Sequence, residues 1–158
     1  MRRTALVALA LAVLFGASAL IAQTEIYDKY LTAADIEKAG GFTGIKKVPR
    51  DPSKGAGGTL NFGFANDKVV VIATMMTVDQ KQYEKYKDQS KNYIRGPVAG
   101  IGEDAYDGPP GAVQYFIGFK KGTWYVQIST FFNMDAGGKT YLDMDQLKAL
   151  CKVIADRM

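Results

Sequence analysis

The run Val69 to Met76 constrains this chain more than any other segment, because it is β-branched or apolar on both faces of an extended strand. Successive side chains of a strand point to opposite sides, so a strand with no polar face needs cover on both sides. The run therefore predicts a central strand with helices packed on at least one side of its sheet. Its partner lies just upstream: Leu60, Phe62 and Phe64 alternate with Asn61, Gly63 and Ala65, and Asn66-Asp67-Lys68 supplies the turn of a hairpin.

A second hairpin follows the glycine-rich loop Gly100 to Gly111. Tyr115, Ile117 and Phe119 lead through Lys120-Lys121-Gly122-Thr123 into Trp124, Val126 and Ile128, which alternate with Tyr125, Gln127 and Ser129. The cleaner alternation predicts one core face and one wetter face. A short extended piece, Ile45 to Pro49, precedes the turn-rich stretch Arg50 to Gly58, which reads as an exposed loop.

Three segments carry helical signals. Thr32 with Asp35 forms a capping box, Leu31 can staple onto Ile36, and Gly40-Gly41 stops the first helix. Thr77 with Gln80 reads as a second box, opening an amphipathic helix to about Ile94 with Tyr83, Tyr86 and Tyr93 on one face, ended by Arg95-Gly96-Pro97. Asp143-Met144-Asp145-Gln146 opens the last helix, where Met144, Leu147, Cys151, Ile154 and Met158 form one stripe with Leu150 and Val153 beside it. Cys151, mid-stripe, reads as a buried inert thiol.

The chain ahead of these elements carries an address. Arg2 and Arg3, an apolar run from Ala5 to Phe15, and the small residues Gly16-Ala17-Ser18-Ala19 are the order of a secretory signal peptide. Ala17-x-Ala19 places cleavage after Ala19, with Ala22 as the alternative end, and the remainder, 20–158, forms one domain. The expected location is periplasmic or secreted, with no membrane contact after cleavage. An uncleaved N-terminal anchor is the competing reading, since Ala5 to Ala22 carries no charge and is about long enough to span a bilayer at roughly 18 residues. Arg2-Arg3 lacks the surrounding pattern of twin-arginine export.

Composition removes whole reaction classes. The chain has no histidine and one cysteine, so neither Ser-His-Asp nor Cys-His sites, His-ligated metals nor an internal disulfide can be built. Cys151 also lies too far from the leader to be a lipoprotein anchor. The net charge of +4 falls to +2 once Arg2 and Arg3 leave, and the remaining lysines are interleaved with acids, which argues against a nucleic-acid partner.

The remaining candidates for chemistry each have a plainer reading. Ser53-Lys54-Gly55-Ala56-Gly57-Gly58-Thr59 superficially resembles a phosphate loop, but its lysine precedes the glycines and a strand follows, so it reads as a turn. Glu103, Asp104 and Asp107 fit no EF-hand spacing and read as solvated turn residues; no metal or cofactor is expected. Glu25, Glu37, Glu84 and Glu103 could supply paired carboxylates, but nothing in their spacing brings two together. Tyr83, Tyr86 and Tyr93, with Phe116, Tyr125 and Phe131 on the wetter sheet face, supply an aromatic surplus that could line a groove for a small molecule or an envelope protein. The plainer reading is a helix lying across the sheet.

Gly100-Ile101-Gly102-Glu103-Asp104-Ala105-Tyr106, followed by a strand, a Lys121-Gly122 turn and another strand, resembles a pattern of small exported bacterial proteins and lipoproteins of uncharacterised function, some with a PsbP-like α+β sheet. The resemblance covers about fifty residues, lacks the lipoprotein cysteine, and implies architecture with Ala105 and Tyr106 tucked inward, carrying over no functional residues. Gly44-Ile45 and Asp51 recur as Gly100-Ile101 and Asp107, and Gly63-Phe64 with Val71 recurs as Gly118-Phe119 with Val126. That echo reads either as a duplicated αβββ unit or as two ordinary hairpins whose turns need glycine.

Together these observations predict an α+β domain: an antiparallel sheet of about five or six strands with three helices mainly on one face. The expected role is a non-catalytic binding domain, with Phe116, Tyr125, Phe131, Tyr83 and Tyr86 as the candidate surface. An enzyme using carboxylate or lysine chemistry and an envelope structural protein are the alternatives.

Overall fold

The computed structural model describes residues 29–48, 59–64, 70–90, 96–111 and 114–158. The leader, the Ser53 to Gly58 turn, Glu25, Tyr93 and the predicted end of the second helix at Ile94 lie outside them.

The first helix, α1 (Ala33–Gly40), begins where its capping box predicts: Thr32 accepts from the Asp35 N–H, and Asp35 accepts from the Thr32 N–H at 2.9 Å. Leu31 and Ile36 are both buried beside it, and Gly41 ends it in the left-handed conformation. The edge strand β1 (Ile45–Val48) then pairs with β2 (Thr59–Phe64), which pairs with β3 (Val70–Val78). A bulge at Phe62/Gly63 makes Ile72 the extra residue of β3, so Ile72 and its neighbour Ala73 both enter the main core.

The second helix, α2 (Gln80–Ser90), starts later than the Thr77 box predicts. Thr77 and Val78 still pair with Val126 and Tyr125, and Asp79 takes over as cap, its carboxylate accepting from the Gln82 N–H at 2.7 Å. The chain continues through β4 (Gly96–Pro97), β5 (Glu103–Gly111), β6 (Gln114–Lys121) and β7 (Trp124–Asn133). A short 3-10 turn leads into β8 (Lys139–Thr140), and α3 (Met144–Arg157) closes the fold.

All strand pairs are antiparallel, in the order β1-β2-β3-β7-β6-β5-β4, with β8 hydrogen-bonded to the end of β7. The described part of the apolar run, Val70 to Met76, supplies the interior strand β3, as its composition requires. Among the described residues the sheet has eight strands rather than five or six. β4 and β8 are only two residues long, and β5 occupies most of the segment read as a loop.

The helices divide between the two faces. Ile36 of α1 and Leu147, Leu150, Cys151 and Ile154 of α3 pack with Leu60, Met75, Ile117, Phe119, Val126 and Ile128 into the main core. The α3 stripe is thus the buried face that its spacing indicates. Ion pairing ties the two helices at their ends: Arg157 grips Asp35 through both carboxylate oxygens and also donates to the Tyr30 carbonyl at 3.2 Å. α2 lies on the opposite face, where its Tyr83 meets Tyr106 and Tyr125. The arrangement of three helices mainly on one face is therefore two against one.

Candidate functional site

Strand alternation turns Tyr125, Gln127, Ser129 and Phe131 of β7 away from the main core. Cross-strand pairing joins to them Phe116 opposite Ser129, Tyr106 opposite Gly118, and Thr74 opposite Ser129. This second face mixes rings with hydroxyls and amides, whereas the side under α1 and α3 is mainly apolar, with Thr130 and Asp107 buried in it.

The rings form a chain. Tyr83 packs at 4.9 Å between centroids on Tyr125 and at 5.4 Å on Tyr106, and Tyr106 meets Phe116 edge-on at 6.0 Å. Gly118 is needed here: a Cβ at that position would lie 2.6 Å from the Tyr106 ring. The Tyr83 hydroxyl donates to the Asp104 carbonyl at 2.5 Å, and Lys87 pairs with the Asp104 carboxylate at 2.6 Å. Burial, then the Asp104 charge, raises the Tyr83 phenol above its ordinary value, and the same two causes push Tyr106 up to about 12.

Of the five sequence-selected residues, Tyr83 is fully buried as the anchor of α2, and Tyr86 is half-buried, its hydroxyl accepting from Gln82 one turn back at 2.9 Å. Tyr125 is half-buried against Tyr83. Phe116 and Phe131 are half-buried further along the face, flanking Ser129. Gln127 and Ser129, which the alternation marked as wet, are buried, and so is Thr74 of β3 beside them. Thr74 donates to Asn61 Oδ1 at 2.9 Å, and Gln127 donates to the Ser129 hydroxyl at 3.3 Å.

The acidic loop residues separate. Glu103 pairs with Lys120 at 3.6 Å, Asp104 with Lys87, and Asp107 is buried on the core side of β5 with its Oδ1 lacking any hydrogen-bond partner. Among the described residues no group of three or more acidic or cysteine side chains is placed to hold a metal ion. Glu37 accepts from the Ile45 N–H at 2.9 Å, and Glu84 is exposed. Cys151 is buried, and burial raises its thiol.

A second concavity went unmarked by the sequence. A cleft of about 530 Å³ opens between the β7–β8 hairpin and the first turn of α3, lined by Tyr115, Phe132, Lys139, Tyr141, Asp143 and Gln146 among others. The signal that could have found it is Phe131-Phe132, then Gly137-Gly138-Lys139-Thr140-Tyr141, a glycine turn bracketed by aromatic residues. Burial, then the Asp135 charge, raises the Tyr141 phenol. No helix among the described residues is long and apolar enough to cross a membrane. No family model, curated protein or solved structure matches the chain.

Proposed function

We propose that this chain is an exported, non-catalytic binding domain that holds a small molecule or an envelope protein on its second sheet face. The observation that carries the reading is the contrast between faces. One is an apolar core interrupted by Thr130 and Asp107, and the other places Thr74, Gln127 and Ser129 in a row beneath the half-open rings Phe116, Tyr125 and Phe131. Buried hydroxyls and amides cost free energy unless their hydrogen bonds are used, so helix packing by itself gives no reason for a polar row there.

The direction of the displaced proton equilibria supports binding over turnover. Tyr83, Tyr106, Tyr141 and Cys151 all hold their protons more tightly than in water, the reverse of what a nucleophile needs. Asp35, whose acidity rises, is committed to Arg157. The strand order supports a further part of the proposal, a duplicated αβββ unit of the PsbP-like class: α1 with β1, β2 and β3, and α2 with β5, β6 and β7, meet third strand against third strand.

Expression of the whole chain in a bacterium, followed by fractionation, N-terminal analysis and native mass spectrometry, tests the proposal. Expected is protein outside the cytoplasm, starting at Leu20 or Gln23 and carrying an added mass that denaturation releases. Full-length protein confined to the membrane fraction would overturn export, and a bare mature mass from the native envelope would overturn binding.

A further inference from the structure

The cleft beside α3 lies on the other side of the sheet from the aromatic strip, so what it binds is independent of the reading above. Thr130, opposite Tyr115, is fully buried on the side of the main core, and alternation places Phe132 on that same side. The Tyr115 and Phe132 rings stand 6.4 Å apart at 54° and form one wall. Tyr141 extends the apolar wall, fixed edge-on against Phe64 at 6.2 Å.

The opposite wall is polar, and two of its side chains are held in place. Asp143 accepts from the Gln146 N–H at 2.8 Å, and Gln146 Oε1 accepts from the Asp143 N–H at 2.8 Å. This capping box uses one oxygen of each side chain. It leaves the second Asp143 oxygen as an acceptor and the Gln146 amide NH2 as a donor, both with settled orientation. Lys139, on the β8 side, forms no ion pair with a described carboxylate and adds a second donor, while Thr140 adds a hydroxyl.

We infer that this cleft is a carbohydrate-binding site, taking a neutral mono- or disaccharide whose ring stacks on Tyr115 and Phe132 while its hydroxyls bond to Asp143, Gln146 and Lys139. The inference rests on matching donors and acceptors. A wholly apolar ligand would strip water from Asp143, Gln146 and Lys139 and return nothing. An anionic ligand meets the Asp143 carboxylate, and a cationic one meets Lys139. A polyol answers both, since each hydroxyl donates and accepts, and a pyranose ring also presents an apolar C–H face to aromatic rings. The volume of about 530 Å³ is within the range of small-ligand sites.

Amide chemical-shift titration of the full mature chain with glucose, maltose, cellobiose and N,N′-diacetylchitobiose tests this, each sugar taken to roughly 10 mM so that millimolar affinity registers. At least one sugar is expected to give saturable shifts at Phe132 and between Lys139 and Gln146. Asp143→Ser keeps an N-cap while removing the free carboxylate oxygen, and Phe132→Ala removes the stacking wall. Each is expected to weaken binding about tenfold or more, with the dispersion of the folded spectrum retained. Lys85→Ala, an exposed position of α2 on the other face, leaves binding unchanged. The inference is overturned if no sugar gives saturable shifts, if the shifts fall outside the cleft, or if both cleft variants bind as wild type. It is equally overturned if sodium benzoate saturates the cleft and none of the sugars does.

Discussion

Tyr83 donates its hydroxyl to the main-chain carbonyl of Asp104 at 2.5 Å, fastening α2 to the opening of β5. Asp104 is the described non-glycine residue with a positive φ, at 50°, and Lys87 holds its carboxylate from the next turn of the same helix. Among the α2 side chains whose burial is described, Tyr83 is the buried one, so the helix is held on the sheet largely at this point.

Tyr83→Phe keeps the ring stack and removes the hydrogen bond, so a loss of about 1 kcal/mol is expected in urea unfolding. Tyr83→Ala empties the space between Tyr106 and Tyr125 and is expected to cost roughly 3–5 kcal/mol. Amide exchange should accelerate through α2 in both variants and stay slow in α3. Equal acceleration in the two helices would show that α2 is not separately anchored.

Asp35 and Arg157 make stability depend on acidity. The hydrogen bonds from Arg157 lower the Asp35 pKa below its ordinary value of 3.8, outweighing the opposing effect of burial. A carboxyl with a depressed folded-state pKa contributes stability that is present above 3.8 and disappears as pH falls through the lower folded value. Acid denaturation of the wild type should therefore steepen below about pH 4. Asp35→Asn removes that component of the dependence, at a cost near neutrality of about 1 kcal/mol, because Arg157 is partly exposed. Identical acid profiles for the two proteins would contradict this.

Asp107 carries a buried carboxylate oxygen with no partner, and an unsatisfied buried polar group costs about 1–3 kcal/mol. Asp107→Val suits a strand position beside Ile117 and is expected to raise the thermal midpoint. A lowered midpoint would show that the carboxylate has a stabilising contact.

Leu147→Ala should open a cavity in the main core costing roughly 2–5 kcal/mol, against a loss within about 0.5 kcal/mol for the surface change Lys148→Ala. Cys151, raised by burial, should react with a thiol reagent only at the rate of unfolding. Fast labelling of native protein would place α3 differently.

What the sequence made legible was local. The Thr32–Asp35 box, the α3 stripe and the two hairpins rest on spacing between neighbours, and each stands where spacing placed it. β5 was hidden because its glycines, prolines and acids are turn residues. It is a strand because β6 offers it a pairing edge, and Gly108 leaves room for the Phe116 ring, which a Cβ there would approach to 2.2 Å. Tyrosine periodicity marked α2 as amphipathic but held no information about which sheet face would receive it. The cleft was less legible: Tyr115 and Phe132 come together through the β6–β7 register, and the glycine turn and helix start from Gly137 to Gln146 read locally as a turn and a cap, not as two walls of one cleft.

Ligand retention by Phe116→Ser and Phe131→Ser tests the binding account most directly, since both rings flank the buried polar row without anchoring α2. Each variant, recovered folded from the same envelope fraction as the wild type, is weighed by native mass spectrometry. The account predicts that the mass carried by the wild type is lost from both variants while α2 stays protected from amide exchange. Retention of that mass at wild-type occupancy in both variants would contradict it.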